Sequence, residues 1–215
     1  TPVHVKDFPF ASLSGVSVKN SSVHLFRNNK KIFYSEGDVL FTHKGLSGPC
    51  ILDMSRYIKK DDVVKISLTG ENAEKMSSDF IQASRAAGSR SIKNYLKGLN
   101  IPASLIYIIF EQHKIPAGKK ASEISRDERI KLFRSLGEYP FTVEEKAGFK
   151  TAMATCGGVC RDEINKFSME SKIVPALYFA GEVIDIDGDT GGYNIQWAFS
   201  SGKLAAENIR KLFSR

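Results

Sequence analysis

The 215-residue sequence contains no long apolar run. A membrane-spanning helix needs about 20 consecutive apolar residues, and no stretch approaches that length. Residues 1–6 have neither the basic nor the apolar region of a secretion signal. We therefore expect a cytoplasmic protein with no membrane partner. At 42% hydrophobic residues, the chain still has enough apolar side chains to form a core.

Cysteine is scarce, with Cys50, Cys156 and Cys160 as the three examples in the sequence. An odd number of cysteines, with neither Cys-x-x-Cys nor zinc-ribbon spacing, argues against a disulfide framework. We interpret all three as reduced thiols. A redox role for the pair Cys156 and Cys160 is the disfavoured alternative.

The sequence also lacks a complete metal-binding pattern. Asp185, Asp187 and Asp189 resemble the opening of a calcium-binding EF-hand loop. Such a loop needs glycine where Thr190 stands and glutamate where Gln196 stands. We therefore predict no metal site, and interpret the three aspartates as a solvated acidic loop.

Acidic residues are outnumbered by basic ones, 24 against 31, which gives a formal net charge of +7. Much of the excess lies between residues 75 and 131. Aromatic residues are not interleaved with these charges as a nucleic-acid stacking surface requires. We therefore interpret them as a solvated helical face and disfavour a nucleic-acid partner. The alternative is an interaction or substrate-gating module that contacts nucleic acid or another partner through this face.

Apolar and polar residues alternate through much of residues 12–70, which predicts a β-rich segment. Turns are expected at Asn28-Asn29 and at Glu36-Gly37, and a further strand at 63–68. Between residues 72 and 137 the apolar residues recur at helical spacing instead, which predicts a small helical cluster with Gly88 as its weak point.

Helix signals are also present later in this cluster. Pro102 can open a short helix, and Ser125 and Glu128 have the spacing of a capping box. Strands are expected to return at 141–143, 149–155 and 176–180, the last being a continuous apolar run typical of a strand buried on both faces. The final helix has an apolar stripe that consists of Ile195, Ala198, Phe199, Ala205, Ile209 and Leu212.

The segment before that helix has the features of a ligand site. A strand that ends in Gly-Glu places a carboxylate at the C-terminal edge of a sheet, where ligands bind in α/β folds. Two glycines ahead of the helix allow close approach of the backbone, and the positive end of the helix dipole faces the ligand. The alternative is a simple glycine-rich turn. The predicted contact residues are Gly181, Glu182, Gly191, Gly192, Tyr193 and Asn194.

A second candidate site precedes Pro49, where Ser47 or Gly48 can cap a helix. Such a helix start can hold an anion, with Lys44 adding positive charge. His43 is then the expected proton donor or acceptor near neutral pH. The alternative is a plain capped helix with no ligand.

Several stretches together resemble a conserved family of bacterial NAD(P)/FAD-dependent oxidoreductases that includes aminoacetone-oxidase-like enzymes. The matching stretches are residues 37–49, 154–159, 169–172, 181–185, 191–198 and 200–202. The resemblance implies FAD as the cofactor, with NAD(P)H and a small-molecule substrate bearing an amine or carbonyl group. It also adds Gly157 and Gly158 to the expected flavin contacts, where the residues alone favour a tight turn.

The fold implied by the resemblance is of the α+β and α/β classes. A β-barrel-like insert with a helical cluster would occupy residues 1–140, β-rich at 12–70 and helical at 72–137. The C-terminal strands and helix of a two-part FAD domain would occupy 141–215. The phosphate-binding fingerprint Gly-x-Gly-x-x-Gly occurs nowhere in the sequence, and the first residue is Thr1. We therefore expect a fragment that lacks the N-terminal FAD-binding half and is inactive alone.

Overall fold

A computed structural model describes residues 1–86, 90–99 and 101–213. These form two compact units. The barrel unit is Pro2–Ala147, and the C-terminal unit is Gly148–Arg215 together with Thr1. Gly88, the expected weak point of the helical cluster, lies outside the described residues.

Six antiparallel strands close into a barrel in the order β1-β4-β3-β2-β5-β6. The strands are β1 Val3–Val5, β2 Ser17–Arg27, β3 Lys30–Phe41, β4 Gly45–Ser47, β5 Val63–Ile66 and β6 Tyr139–Lys146. The short β1 pairs with β4 on one side and with β6 on the other, and so closes the barrel. The sequence predicts that residues 141–146 belong to the C-terminal portion, whereas β6 completes the barrel by pairing with β5.

The β2–β3 hairpin turns at Asn28-Asn29, as the sequence predicts. Both asparagines have positive φ, 49° and 60°, a conformation that Asn tolerates better than most residues. The second expected turn, at Glu36-Gly37, is wrong. β3 continues through it, with Glu36 opposite Ser22, because a bulge between Val18 and Ser21 of β2 accommodates the irregularity within the sheet.

Aromatic rings fill the barrel interior next to β1. Phe10, Phe41 and Phe141 are almost completely buried, and the Phe10 and Phe41 rings stack with their centroids 5.2 Å apart. Tyr139 meets Phe10 edge to face at 4.9 Å. Such ring pairs contribute about 0.5–1.5 kcal/mol beyond the area that they bury, so this cluster stabilises the packing of β3 against β6.

Helices occupy the connections of the barrel unit. They are α1 Pro49–Met54, α2 Ala73–Ala86, α3 Ile92–Lys97, α4 Ala103–Gln112 and α5 Arg126–Gly137. The expected capping box starts α5: the Ser125 Oγ accepts a hydrogen bond from the Glu128 N–H at 3.2 Å, and the Glu128 carboxylate accepts one from the Ser125 N–H at 2.9 Å. Lys119 Nζ also donates to both carboxylate oxygens of Glu128, at 2.7 and 2.8 Å.

The C-terminal unit has one long helix, α6 Tyr193–Phe213, and otherwise loops and 3-10 turns. The strands expected at 149–155 and 176–180 are wrong: Phe149–Thr151 is a 3-10 turn, and Tyr178 forms one isolated bridge to Glu170. A strand buried on both faces needs partners on both edges, and no further ladder forms here among the described residues.

The final helix is confirmed, but most of its expected apolar stripe is exposed, with Ala205 as the buried member. Ser201 and Ala205 are buried, whereas Ile195, Phe199 and Leu212 are 65%, 74% and 56% exposed. Among the described residues, no helix is both long enough and apolar enough to cross a membrane.

The contacts of Glu128 predict a pH dependence of stability. The hydrogen bonds from Lys119 and then Ser125 lower the pKa of Glu128 to about 2, below about 4.3 in an unfolded chain. A depressed pKa stabilises the fold above the unfolded value, and this contribution disappears as pH falls from about 4.5 towards 2. We therefore expect Glu128→Gln to lower the urea midpoint at pH 7 and to have a much smaller effect near pH 2.

The matched control is Glu111→Gln, which changes an exposed glutamate on α4. It should leave the midpoint unchanged at both values of pH. An equal loss for Glu128→Gln at both would contradict the role assigned to the Glu128 carboxylate.

Candidate functional site

The C-terminal unit brings together two of the stretches that the sequence singled out. Val159 pairs in parallel with Ile184: its N–H donates to Val183 O at 2.8 Å, and its carbonyl accepts from the Asp185 N–H at 3.0 Å. The carboxylate of Glu182 accepts a hydrogen bond from the Thr155 N–H at 2.5 Å. These contacts join residues 155–159 and 181–185 into one loop pair.

Asp185 has a role in this loop pair that the sequence did not indicate. Its Oδ1 accepts a hydrogen bond from the Gly157 N–H at 3.0 Å. We interpreted Asp185 as part of a solvated acidic loop, whereas it holds the glycine turn in place. A carboxylate has about four acceptor positions, so Glu182 and Asp185 both retain capacity for other donors.

The glycines of the site fall into two kinds. A Cβ on Gly158 would lie 2.3 Å from Val183 O, so glycine is required there for the loops to meet. By contrast, Cβ atoms on Gly157 and Gly192 would meet nothing within 4 Å, although both residues have positive φ, 100° and 94°. Gly191, with φ 124°, would meet the Tyr193 ring at 3.5 Å. Gly157 and Gly192 therefore offer bare backbone beside open space.

Helix α6 holds Gly181 by both of its peptide groups. The Gly181 N–H donates to Ser201 Oγ at 2.9 Å, and its carbonyl accepts from the Trp197 indole N–H at 3.2 Å. Ser201 in turn donates to Trp197 O at 2.7 Å. The sequence analysis did not assign these roles to Trp197 and Ser201. Their spacing of one helical turn, which places both on the same face of the final helix, could have indicated a shared partner.

The start of α6 is fixed by the side chain of Asn194. Its Oδ1 accepts from the Gly188 N–H at 2.8 Å, and its Nδ2 donates to Gly188 O at 2.9 Å. The Asn194 amide thus closes the loop between 188 and 194, while the Tyr193 side chain is 65% exposed. The first N–H groups of a helix lack intrahelical acceptors, and Gly192 precedes them.

The second predicted set lies in the barrel unit. His43 and Lys44 are exposed in the turn between β3 and β4, and Ser47 ends β4. Gly48 caps α1 with φ 96°, as predicted, and Pro49 takes the first helical position. Gly48 is also packed against β3, where a Cβ would lie 2.5 Å from Asp38 O.

The three cysteines are free thiols. Cys50 is buried, which raises its pKa to about 11, and its Sγ contacts Asp38 O at 3.2 Å. Cys156 and Cys160 are exposed. Within residues 1–86, 90–99 and 101–213, no group of three or more His, Cys, Asp or Glu side chains is arranged to hold a metal ion.

Large apolar side chains remain exposed throughout the C-terminal unit. Its buried core has four members, Ile164, Met169, Ile184 and Ala205. The exposed side chains include Phe149, Met153, Phe167, Ile173, Val183, Ile195, Phe199 and Phe213. Scattered exposed apolar residues are normal, but a large exposed apolar surface marks an interaction site.

A closed antiparallel barrel with a helical excursion, followed by glycine-bearing loops before a long helix, defines a mixed α/β protein with a barrel domain. A family model described as HI0933-like protein barrel and H2TH domain matches residues 2–154. A second, described as HI0933-like protein Rossmann domain, matches residues 117–208. The chain belongs to the HI0933-like family.

Curated relatives have two kinds of name. Two are called ribosomal RNA dihydrouridine synthase: one from Haemophilus influenzae, 35% identical over 93% of this chain and 48% of its own length, and one from Escherichia coli, 33% identical over 91% and 45%. A 3-dehydro-bile acid delta(4,6)-reductase from Clostridium scindens is 29% identical over 94% and 50%. The chain spans about half the length of these relatives.

The packing at Gly158 predicts that alanine cannot replace it. Gly158→Ala should lower the free energy of unfolding of the C-terminal unit by about 1–3 kcal/mol, because the added methyl group overlaps Val183 O. Trp197, the single tryptophan, lies in this unit and reports the transition by fluorescence.

The matched control is Gly202→Ala on α6, where an added Cβ meets nothing within 4 Å. It should leave stability unchanged or raise it by about 0.5–1 kcal/mol, since alanine favours helix. If Gly158→Ala behaved like this control, the close contact with Val183 would be disproved.

Proposed function

We propose that this chain is part of a flavin-dependent reductase in which FAD lies against the loop pair and the start of α6. The observation that carries the proposal is the backbone at Gly157 and Gly192, which has no side chain and no neighbouring atom within 4 Å of where a Cβ would lie. When bound, FAD supplies two-electron redox chemistry. The relatives' names, two synthases of dihydrouridine and one reductase, support reduction as the direction.

The residues of the C-terminal unit fit a flavin in two ways. The backbone N–H groups from Gly191 to Asn194, at the positive end of the α6 dipole, would stabilise negative charge on the ring, each contact contributing about 0.3–2 kcal/mol. Glu182 would accept hydrogen bonds from the hydroxyl groups of the cofactor. Gly158 and Gly181 would act by holding the loops in position, since internal contacts already account for both.

A second half of the site would come from elsewhere in the protein. The relatives are about twice as long as the region that they share with this chain. The exposed apolar side chains of the C-terminal unit are suited to pack against such an N-terminal FAD-binding half, which would carry the missing phosphate-binding fingerprint. A cytoplasmic location, consistent with three free thiols, remains part of this proposal.

For the substrate we propose a uracil base in ribosomal RNA. The relatives at 35% and 33% identity carry that name, and the net charge of +7 suits a polyanion. This departs from our expectation of a small-molecule substrate without a nucleic-acid partner. A steroid, as in the name of the bile acid reductase, is the second candidate. Amine oxidation of the aminoacetone-oxidase type has no counterpart among these names.

Flavin binding tests the proposal. The 215-residue chain should bind FAD weakly or not at all, whereas the chain extended N-terminally to the length of its relatives should purify with bound flavin. In the extended protein, Gly192→Ala should weaken flavin retention about tenfold by displacing the α6 N–H groups. Visible absorbance and equilibrium dialysis measure both.

Gly202→Ala is again the control and should retain flavin fully. An extended protein that takes up no FAD would overturn the proposed function. Tight, stoichiometric uptake by the 215-residue chain would instead overturn the need for a second half.

His43 is proposed as the proton donor, because its imidazole is exposed in the β3–β4 turn and an imidazole nitrogen can donate or accept a proton. In the extended protein, His43→Gln should lower turnover of a uridine-containing RNA about 10²-fold, typical for loss of a general acid, with flavin content unchanged. Dihydrouridine formation measures turnover. Unchanged turnover and an unchanged pH profile would exclude the role.

A further inference from the structure

The outer face of the barrel carries aromatic and basic side chains in alternation. We call it the stacking face and define it by His24 and Phe26 of β2, Lys31 and Tyr34 of β3, and Lys65 of β5. His24 pairs across the sheet with Tyr34 on one side and Lys65 on the other. Phe26 pairs with Lys31, because Ile32 is an extra residue in the β3 ladder. Register therefore brings all five side chains together.

The rings and the ammonium groups are in direct contact. The His24 and Tyr34 rings lie with centroids 4.8 Å apart and planes 33° apart. Lys31 Nζ lies 4.6 Å from the Tyr34 centroid, and Lys65 Nζ lies 4.8 Å from the Phe26 centroid. Aromatic rings interleaved with lysines are the combination that binds single-stranded nucleic acid, by stacking on bases and pairing with phosphates.

A cavity of about 420 Å³ opens beside His24, Lys31 and Tyr34 of the stacking face, and its other lining residues include Glu36, Glu71 and Glu138. Ligand pockets typically measure about 300–1,000 Å³. Among the described residues, His24 Nδ1 is shielded from solvent and has no hydrogen-bond partner.

Three carboxylates, those of Glu36, Glu71 and Glu138, keep the face from being uniformly positive. Glu138 lies 3.7 Å from Lys65 Nζ, and the Tyr34 hydroxyl donates to Glu36. This mixed charge disfavours binding along a long run of phosphates and favours recognition of a few bases. The carboxylates beside the rings can accept hydrogen bonds from base N–H groups. Sequence-tolerant stacking on an exposed sheet face is also how several RNA-binding domains hold single strands.

We infer that the stacking face binds single-stranded RNA, with one or two bases on Tyr34 and His24 and flanking phosphates on Lys31 and Lys65. The choice of RNA as occupant rests on the proposed function, while the binding itself needs no flavin. Both lysines have flexible stems, so their ammonium groups can move from a ring face to a phosphate.

The test measures fluorescence anisotropy of a labelled, uridine-rich single-stranded RNA of about 12 nucleotides, within the span that such grooves cover, titrated with the 215-residue chain without FAD. Tyr34→Ala should weaken binding about 5- to 100-fold. Tyr34→Phe keeps the ring and should bind like the unaltered chain. Replacing Lys31 and Lys65 together by Ala should reduce the slope of log K against log salt by about 1.4, or 0.7 for each phosphate.

Tyr107→Ala is the matched control on the helical cluster. Tyr107 is 44% exposed, against 43% for Tyr34, and also has a lysine over its ring, with Lys93 Nζ 4.4 Å from the centroid. It should not change binding. A loss with Tyr107→Ala but not with Tyr34→Ala would overturn the inference and favour the helical face, and no binding at low salt would also overturn it. Unchanged urea midpoints exclude misfolding as the cause of a loss.

Loss of RNA binding and failure of the proposed function give different results. If the extended protein takes up no flavin but the 215-residue chain still binds RNA through Tyr34, the proposed reductase function is disproved and the RNA-binding role of the stacking face is supported. If the extended protein contains flavin but Tyr34→Ala does not change RNA binding, the role of the stacking face is disproved and the reductase function is supported.

Discussion

Closure of the barrel by the three-residue strand β1 is the constraint on which the barrel unit depends. β1 is hydrogen-bonded to β4 and β6, which come from distant parts of the sequence. A Cβ on Gly45 of β4 would lie 2.2 Å from Val3 O, so the strands meet only because that residue is glycine. The aromatic cluster of Phe10, Phe41 and Phe141 packs under the same junction. The helical cluster is an excursion between β5 and β6, and its return completes the barrel.

The C-terminal unit, unlike the barrel unit, is held together more by hydrogen bonds than by buried apolar side chains. Few of its large apolar side chains are buried, and its loops are held by hydrogen bonds: Glu182 to Thr155, Asp185 to Gly157, and Ser201 and Trp197 to Gly181. Net hydrogen bonds stabilise by about 0.5–1.5 kcal/mol each, far less than a full core. The large apolar side chains of this unit therefore remain available on its surface.

Two different surfaces of the chain are basic, and they differ in what accompanies the charge. On the helical cluster, Lys119 is paired with Glu128, and the contacting rings of Phe80 and Phe133 are buried. On the barrel, register alone places lysines beside Phe26, His24 and Tyr34. The positions of the basic residues in the sequence therefore suggest a charged face on the helices. The combination of rings and lysines that suits RNA lies on the sheet instead.

The sequence by itself determined what depends on neighbouring residues: the Asn28-Asn29 turn, the capping box of Ser125 and Glu128, the Gly48-Pro49 helix start and the long final helix. Each depends on contacts within a few positions, so local chemistry suffices. Tertiary structure alone decided which face of α6 is buried, whether residues 176–180 find strand partners, and that β6 belongs to the barrel. It also decided that Asp185 holds Gly157 and that His24 meets Tyr34 and Lys65, since contacts between distant residues depend on sheet register and loop closure, which no local pattern specifies.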